Sequence, residues 1–156
     1  MSELTLSSDA FENGGPIPKK HTCQGADVSV PLRWNGMPDG TQSLVLIVDD
    51  PDAPDPKAPK RVWVHWLLYN IPPETMRFEE NIHALPPGTL EGVNDWKCTG
   101  WGGPCPPIGR HRYYFKLYAL NAKLPDLKVP SKSVLLDAMD GKVLASAELM
   151  GTYQKQ

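Results

Sequence analysis

Residues 43–48 read Ser43-Leu44-Val45-Leu46-Ile47-Val48, and residues 111–120 read His111-Arg112-Tyr113-Tyr114-Phe115-Lys116-Leu117-Tyr118-Ala119-Leu120. The first stretch is apolar throughout after its serine, the pattern of a strand covered on both faces. The second alternates. His111, Tyr113, Phe115 and Leu117 share one face, and Arg112, Tyr114, Lys116 and Tyr118 share the other. Outward from these two, short strands are predicted at Glu3–Ser7, Ser29–Trp34, Val62–Asn70 and Glu91–Asn94, separated by turn clusters. One helix is predicted: Ser131 follows Pro130 and can cap it, Val134, Leu135 and Ala138 form its apolar stripe, and Gly141 suits its stop. The segment Lys142–Gly151 is ambiguous, because Val143, Leu144 and Ala147 have helical spacing while Leu149–Tyr153 reads as a closing strand. Many strands and one or two short late helices predict a mainly β chain, an antiparallel two-sheet β-sandwich.

The length of 156 residues fits one domain over 1–156. A chain of this size buries roughly 68–70% of the surface its unfolded form exposes, enough to fold without metal or disulfide. The 40% hydrophobic and 22% charged residues are an ordinary globular composition and argue against disorder. Sixteen Lys and Arg against eighteen Asp and Glu leave a net charge of −2, which argues against a nucleic-acid partner that would need a basic face. The 13 Gly and 17 Pro favour shaped loops and short strands over long helices.

The start Met1-Ser2-Glu3-Leu4-Thr5 has neither a basic nor an apolar targeting region, and no apolar run approaches the ~20 residues of a membrane span, so no stable membrane insertion is expected. Cys23, Cys98 and Cys105 are an odd set and read as reduced thiols in a cytoplasmic protein, with pairing of Cys98 and Cys105 left open by their closeness in one loop. Two connections reach or exceed the ~12–15 residues usual in compact domains: Ile71 to Thr89, and Asp95 to Gly109. The second holds Trp96, Trp101, Pro104, Pro106 and Pro107 and is predicted to be a built wall.

Polar residues interrupt the apolar strands in three places. Asp49-Asp50-Pro51-Asp52-Ala53-Pro54 follows the buried strand and alone reads as an acidic turn. In Val62–Tyr69, period two puts Trp63 and His65 on one face. In Gly109-Arg110-His111-Arg112-Tyr113, His111 and Tyr113 share a face beside the Gly/Pro wall. Together, two imidazoles, two or three carboxylates and a phenol can converge where strands meet loops. A carboxylate beside an imidazole fixes its tautomer. The Tyr113 hydroxyl and backbone N–H groups around Gly102-Gly103 could then donate to a small phosphate-like or carboxylate group. A metal triad of the two histidines with Asp50 or Asp52 lacks a spacing signature, and no nucleophile elbow, P-loop or dinucleotide fingerprint is present, so no cofactor and no catalytic residue is expected.

These blocks resemble the phosphatidylethanolamine-binding protein (PEBP) family, in particular its bacterial and archaeal Raf-kinase-inhibitor-like branch. The likeness rests on Asp50-Pro51-Asp52-Ala53-Pro54, Trp63-Val64-His65-Trp66, Gly102-Gly103-Pro104-Cys105-Pro106-Pro107 and Gly109–Tyr118, with Ile17–Gly25 and Ala147–Tyr153 at the ends. It implies a β-sandwich with a small anion pocket lined by Asp50, Asp52, His65, His111 and Tyr113 and framed by Trp63, Pro54, Gly103 and Pro104. It also implies cis bonds at Ala53–Pro54 and Arg61–Val62. Eukaryotic members carry a C-terminal extension beside the pocket, whereas this sequence ends at Gln156, which leaves the outer half of a ligand unspecified. Members inhibit kinases or proteases or regulate flowering, so fold alone does not choose a role. The reading taken forward is a non-catalytic module for an anionic or phosphorylated ligand. Its alternatives are a protease or kinase inhibitor acting through loops such as Ile71–Thr89, and a metal-assisted or acid–base hydrolase. A homodimer is left open.

Overall fold

The computed structural model describes residues 4–82 and 84–155. Among them, eight strands and one α-helix follow in order: β1 (Thr5–Ser7), β2 (Leu32–Asn35), β3 (Ser43–Ala53), β4 (Arg61–Ile71), β5 (Arg77–Phe78), β6 (Leu90–Glu91), β7 (Arg110–Leu120), α1 (Lys132–Met139) and β8 (Val143–Gln154). Two antiparallel sheets result, one ordered β1-β2-β5 and the other β6-β4-β3-β7-β8.

The larger sheet is covered on both faces, which explains the unbroken apolar run in β3. Leu44, Leu46 and Val48 face the small sheet and pack with Trp34, Trp66, Phe78, Phe115 and Leu117. Val45 and Ile47 face the other way and pack with Leu67, Tyr69, Leu135 and Met139 beneath α1. Each fully buried side chain of this kind contributes about 1.5–3 kcal/mol. On β7, His111, Tyr113, Phe115 and Leu117 are all buried, as the alternation requires. No helix among the described residues is long and apolar enough to cross a membrane.

Several sequence expectations shift at their edges. Glu3 lies outside the described residues. The predicted strand at Ser29 begins only at Leu32, because Ser29 instead accepts backbone hydrogen bonds from Asn81 on its carbonyl and from Ile82 on its hydroxyl. The predicted Glu91–Asn94 strand shrinks to Leu90–Glu91, since Val93 and Asn94 donate to Pro130 and Cys98 in loops. The connection 71–89 contains β5, a two-residue strand on β2 that is too short to leave a periodic signal. In α1, Ser131 accepts from the Val134 N–H as a cap, but Val134 itself is exposed; Leu135 and Met139, one turn apart, carry the buried contact. Within Lys142–Gly151 the chain is strand rather than helix from Val143 onward, because pairing with β7 from Leu120↔Val143 to Arg110↔Gln154 satisfies its backbone and outweighs local helical spacing.

Candidate functional site

A cavity of about 400 Å³ opens at the end of the larger sheet. Its lining comes from the end of β3 (Asp50, Ala53) and Pro54 just after it, from β4 (Arg61, Trp63, His65), from β7 (His111, Tyr113), and from the 95–109 loop (Trp96, Cys105, Pro106, Pro107). Two irregularities aim these groups. Between Val48↔Trp66 and Asp49↔Val64, β4 has one residue more than β3, so His65 sits on a β-bulge. The bulge frees the His65 carbonyl to accept the Gly102 N–H, which ties the wall loop to the strand. Between Asp50↔Trp63 and Ala53↔Arg61 the extra residue is on β3.

That second bulge separates the two aspartates that period two would place together. Asp50 turns inward to His111, whereas Asp52 turns to the opposite face of β7 and grips Arg112. Asp52 Oδ2 accepts from the Arg112 N–H and Nε, each at 2.9 Å, and Oδ1 accepts from Nη2 at 2.8 Å. Its hydrogen bond with the guanidinium lowers the Asp52 pKa. Asp52 therefore positions a strand and does not line the cavity. Gly103 and Pro104 are likewise behind the wall: Gly103 N–H donates to Asp27 Oδ1 at 2.9 Å, and the Pro104 carbonyl accepts from Cys23 N–H. The amides of Gly102 and Gly103 are thus already engaged, and the expectation that they donate to a ligand is not met. Arg61 and Trp96 complete the lining but were not among the expected residues; Arg61 shares the period-two face of Trp63 and His65, and that spacing could have found it.

His111 also differs from expectation. Its Nδ1 meets Asp50 Oδ2 at 2.5 Å, and its Nε2 meets the carbonyls of Pro54 and Ile108 at 3.0 and 2.9 Å. Both ring nitrogens are committed inside the protein, so His111 offers a ligand only its ring edge. Nε2 faces two acceptors and so carries a hydrogen, and one further hydrogen bridges Nδ1 and Asp50 Oδ2. Metal ligation by the two histidines with an aspartate does not form, and no cluster of three such ligands exists among the described residues.

His65 is different. Its Nδ1 lies 2.6 Å from the Gly102 carbonyl, which can only accept, so Nδ1 carries the hydrogen. Nε2 is buried with no partner, as are Tyr113 Oη and Trp63 Nε1. The His65 ring meets Tyr113 edge-on at 5.1 Å and Trp96 at 5.0 Å, while His111 stacks on Tyr113 at 6.3 Å. Both histidines therefore flank one phenol, whose pKa burial pushes well up, keeping it a neutral donor. Arg61 lies over Trp63, 5.9 Å from the ring.

Burial lowers the His65 pKa from 6.5 to about 4. The unfolded chain binds this proton below pH 6.5 and the folded chain only below about 4. Across that window the unfolded state holds more protons, so stability falls as pH drops, by about 3 kcal/mol. Urea titrations at pH 7 and pH 4 should show the wild type losing that much more than His65→Gln; equal losses would contradict the assignment.

The wall is stapled by a disulfide between Cys23 and Cys105, with Cys98 free and exposed. This corrects both readings of the cysteines: the three are not all thiols, and Cys105 pairs across 82 residues rather than with Cys98. Sequence proximity misled because the 95–109 loop folds back over the Lys19–His21 turn, where Trp101 Nε1 donates to the His21 carbonyl at 3.2 Å. Ala53–Pro54 is cis, whereas Arg61–Val62 is trans.

Residues 7–154 match the family model described as phosphatidylethanolamine-binding protein. The chain belongs to the phosphatidylethanolamine-binding protein family. It is 45% identical to a UPF0098 protein of Methanothermobacter thermautotrophicus over 97% of this chain and 99% of that one. Among solved structures, a PEBP homologue from Chlamydia trachomatis superposes with a TM-score of 0.92 at 43% identity, covering all of both chains. E. coli YbcL, described as a member of the mammalian PEBP family, gives 0.88 at 30% identity over 99% of this chain and 100% of that one. A carboxypeptidase Y inhibitor shares the PEBP fold at 17% identity and a TM-score of 0.63, covering 99% of this chain and 85% of that one. PEBP membership supports a binding-protein role.

Proposed function

We propose that the protein is a non-catalytic binding module whose cavity takes a small anionic group, phosphoryl in character, presented by a ligand or a partner protein. One observation carries this reading: three buried polar atoms without partners, His65 Nε2, Tyr113 Oη and Trp63 Nε1, belong to residues around one cavity. Buried polar groups are nearly always satisfied, and unsatisfied ones each cost about 1–3 kcal/mol. Their persistence is explained by a ligand that completes them. Arg61 at the rim, and the engagement of both Asp50 oxygens by His111 and the Asp52 N–H, leave the site favourable to negative oxygen. His111 has no nitrogen to exchange a proton with a substrate, so the two histidines do not form an acid–base pair.

Thermal unfolding with phosphate, phosphoethanolamine and a neutral control tests the reading. An anion at a hundred times its Kd should add about 2.7 kcal/mol. Tyr113→Phe should abolish that gain while leaving the ligand-free protein as stable as before or more so, since an orphan hydroxyl is removed. No stabilisation of the wild type by any anion would reject the pocket. The inhibitor reading draws on the fold of the carboxypeptidase Y inhibitor and on the exposed Met76 in the 71–89 connection. Protease inhibition that survives Tyr113→Phe would favour it.

A further inference from the structure

We propose that His65 makes this cavity selective for oxyanions that still carry an acidic proton, phosphomonoester monoanions and hydrogen phosphate, over phosphodiesters and sulfate. The inference rests on the anion-pocket reading above and adds the ligand class. Because Nδ1–H is held by the Gly102 carbonyl, the neutral ring presents a lone pair at Nε2. The ring cannot adapt by exchanging tautomers, since a bare Nδ1 would then face the Gly102 oxygen, lone pair against lone pair. Trp63 Nε1 can only donate, and Tyr113 Oη can do either. A group that completes the site must therefore give a hydrogen to His65 and accept one from Trp63 at once. A phosphoryl group with one P–OH does both. Sulfate and a phosphodiester offer acceptors alone, and an alkylammonium offers donors alone.

Protonating His65 would reverse this preference, but the surroundings oppose it. Burial holds its pKa near 4. The charged groups about it are Asp50 and His111, paired with each other; Arg61 at the rim; and Asp49, which Lys116 and Lys132 already neutralise. At pH 7 a fully deprotonated oxyanion would have to bind the minor protonated form, about a thousandth of the molecules. A phosphodiester headgroup is disfavoured for the same reason, whatever its alkyl chains.

Calorimetric titration of the full chain with methyl phosphate, inorganic phosphate, dimethyl phosphate and sulfate at pH 5.5 tests the proposal. Methyl phosphate and inorganic phosphate are expected to bind roughly tenfold or more tightly than the other two. The tighter of the pair identifies the source as an ester or the free ion. Methyl phosphate affinity should fall about a hundredfold from pH 5 to pH 8, as the monoester passes its second pKa of about 6. His65→Gln, whose amide can turn either way, should erase the discrimination; if that variant does not fold, the wild-type ranking of the four anions decides alone. Dimethyl phosphate or sulfate binding as well as methyl phosphate, or a flat pH profile, would overturn the selectivity and leave the anion pocket standing. Failure of all four to bind would remove the pocket reading itself.

Discussion

Replacing Asp50 by alanine is expected to cost about 3–5 kcal/mol of stability, the usual penalty for stripping one partner from a buried charged pair. The Asp50 and His111 side chains are 4% and 1% exposed. Asp50 Oδ1 accepts the Asp52 N–H at 2.7 Å while Oδ2 meets His111, so both oxygens are in use. In the alanine variant the imidazole keeps two carbonyls on Nε2 and loses its partner on Nδ1. Asp50→Asn should recover most of the loss: its amide hydrogen can donate to Nδ1 of a neutral ring, and its oxygen can still accept from Asp52. Urea unfolding with unchanged m-values checks both variants. A loss below about 1 kcal/mol for the alanine would mean that water reaches His111 and compensates it.

Reducing the Cys23–Cys105 bridge should be comparably severe. The bridge closes a separation of 82 residues, for which loop entropy gives about 4.5 kcal/mol. The effect should reach the cavity too, since Cys105 lines it and the Cys23 N–H holds the Pro104 carbonyl. The comparison is best made in a Cys98→Ser background, because Cys98 is exposed and could exchange with the bridge. Unfolding midpoints in oxidant and reductant, with thiols counted in each, read the result. An unchanged midpoint in protein shown to be reduced would mean that the other ties across the wall, from Asp27 and His21, suffice without the bond.

Most of the architecture was written in short-range patterns. The apolar run at Leu44–Val48 demanded cover on both faces, and α1 and the small sheet supply it. Alternation placed His111 and Tyr113 with Phe115, and period two placed Trp63 with His65. Six of the nine expected site residues accordingly line one cavity. The three that do not, Asp52, Gly103 and Pro104, fail for an identifiable reason. Asp52 lies across a bulge, and the other two spend their backbone groups on Asp27 and Cys23.

The amino-acid order by itself determined most of the strands, β5 and the full length of β8 excepted, together with the buried central strand and the side chains available to a site, because periodicity and burial act between near neighbours. Tertiary structure alone decided which cysteines join, which aspartate turns inward and which histidine keeps a nitrogen free. Those outcomes depend on a single extra residue in a strand pair and on carbonyls contributed by loops such as Gly102 and Ile108. A carbonyl has the same chemistry at every residue, so no residue type announces where it will point.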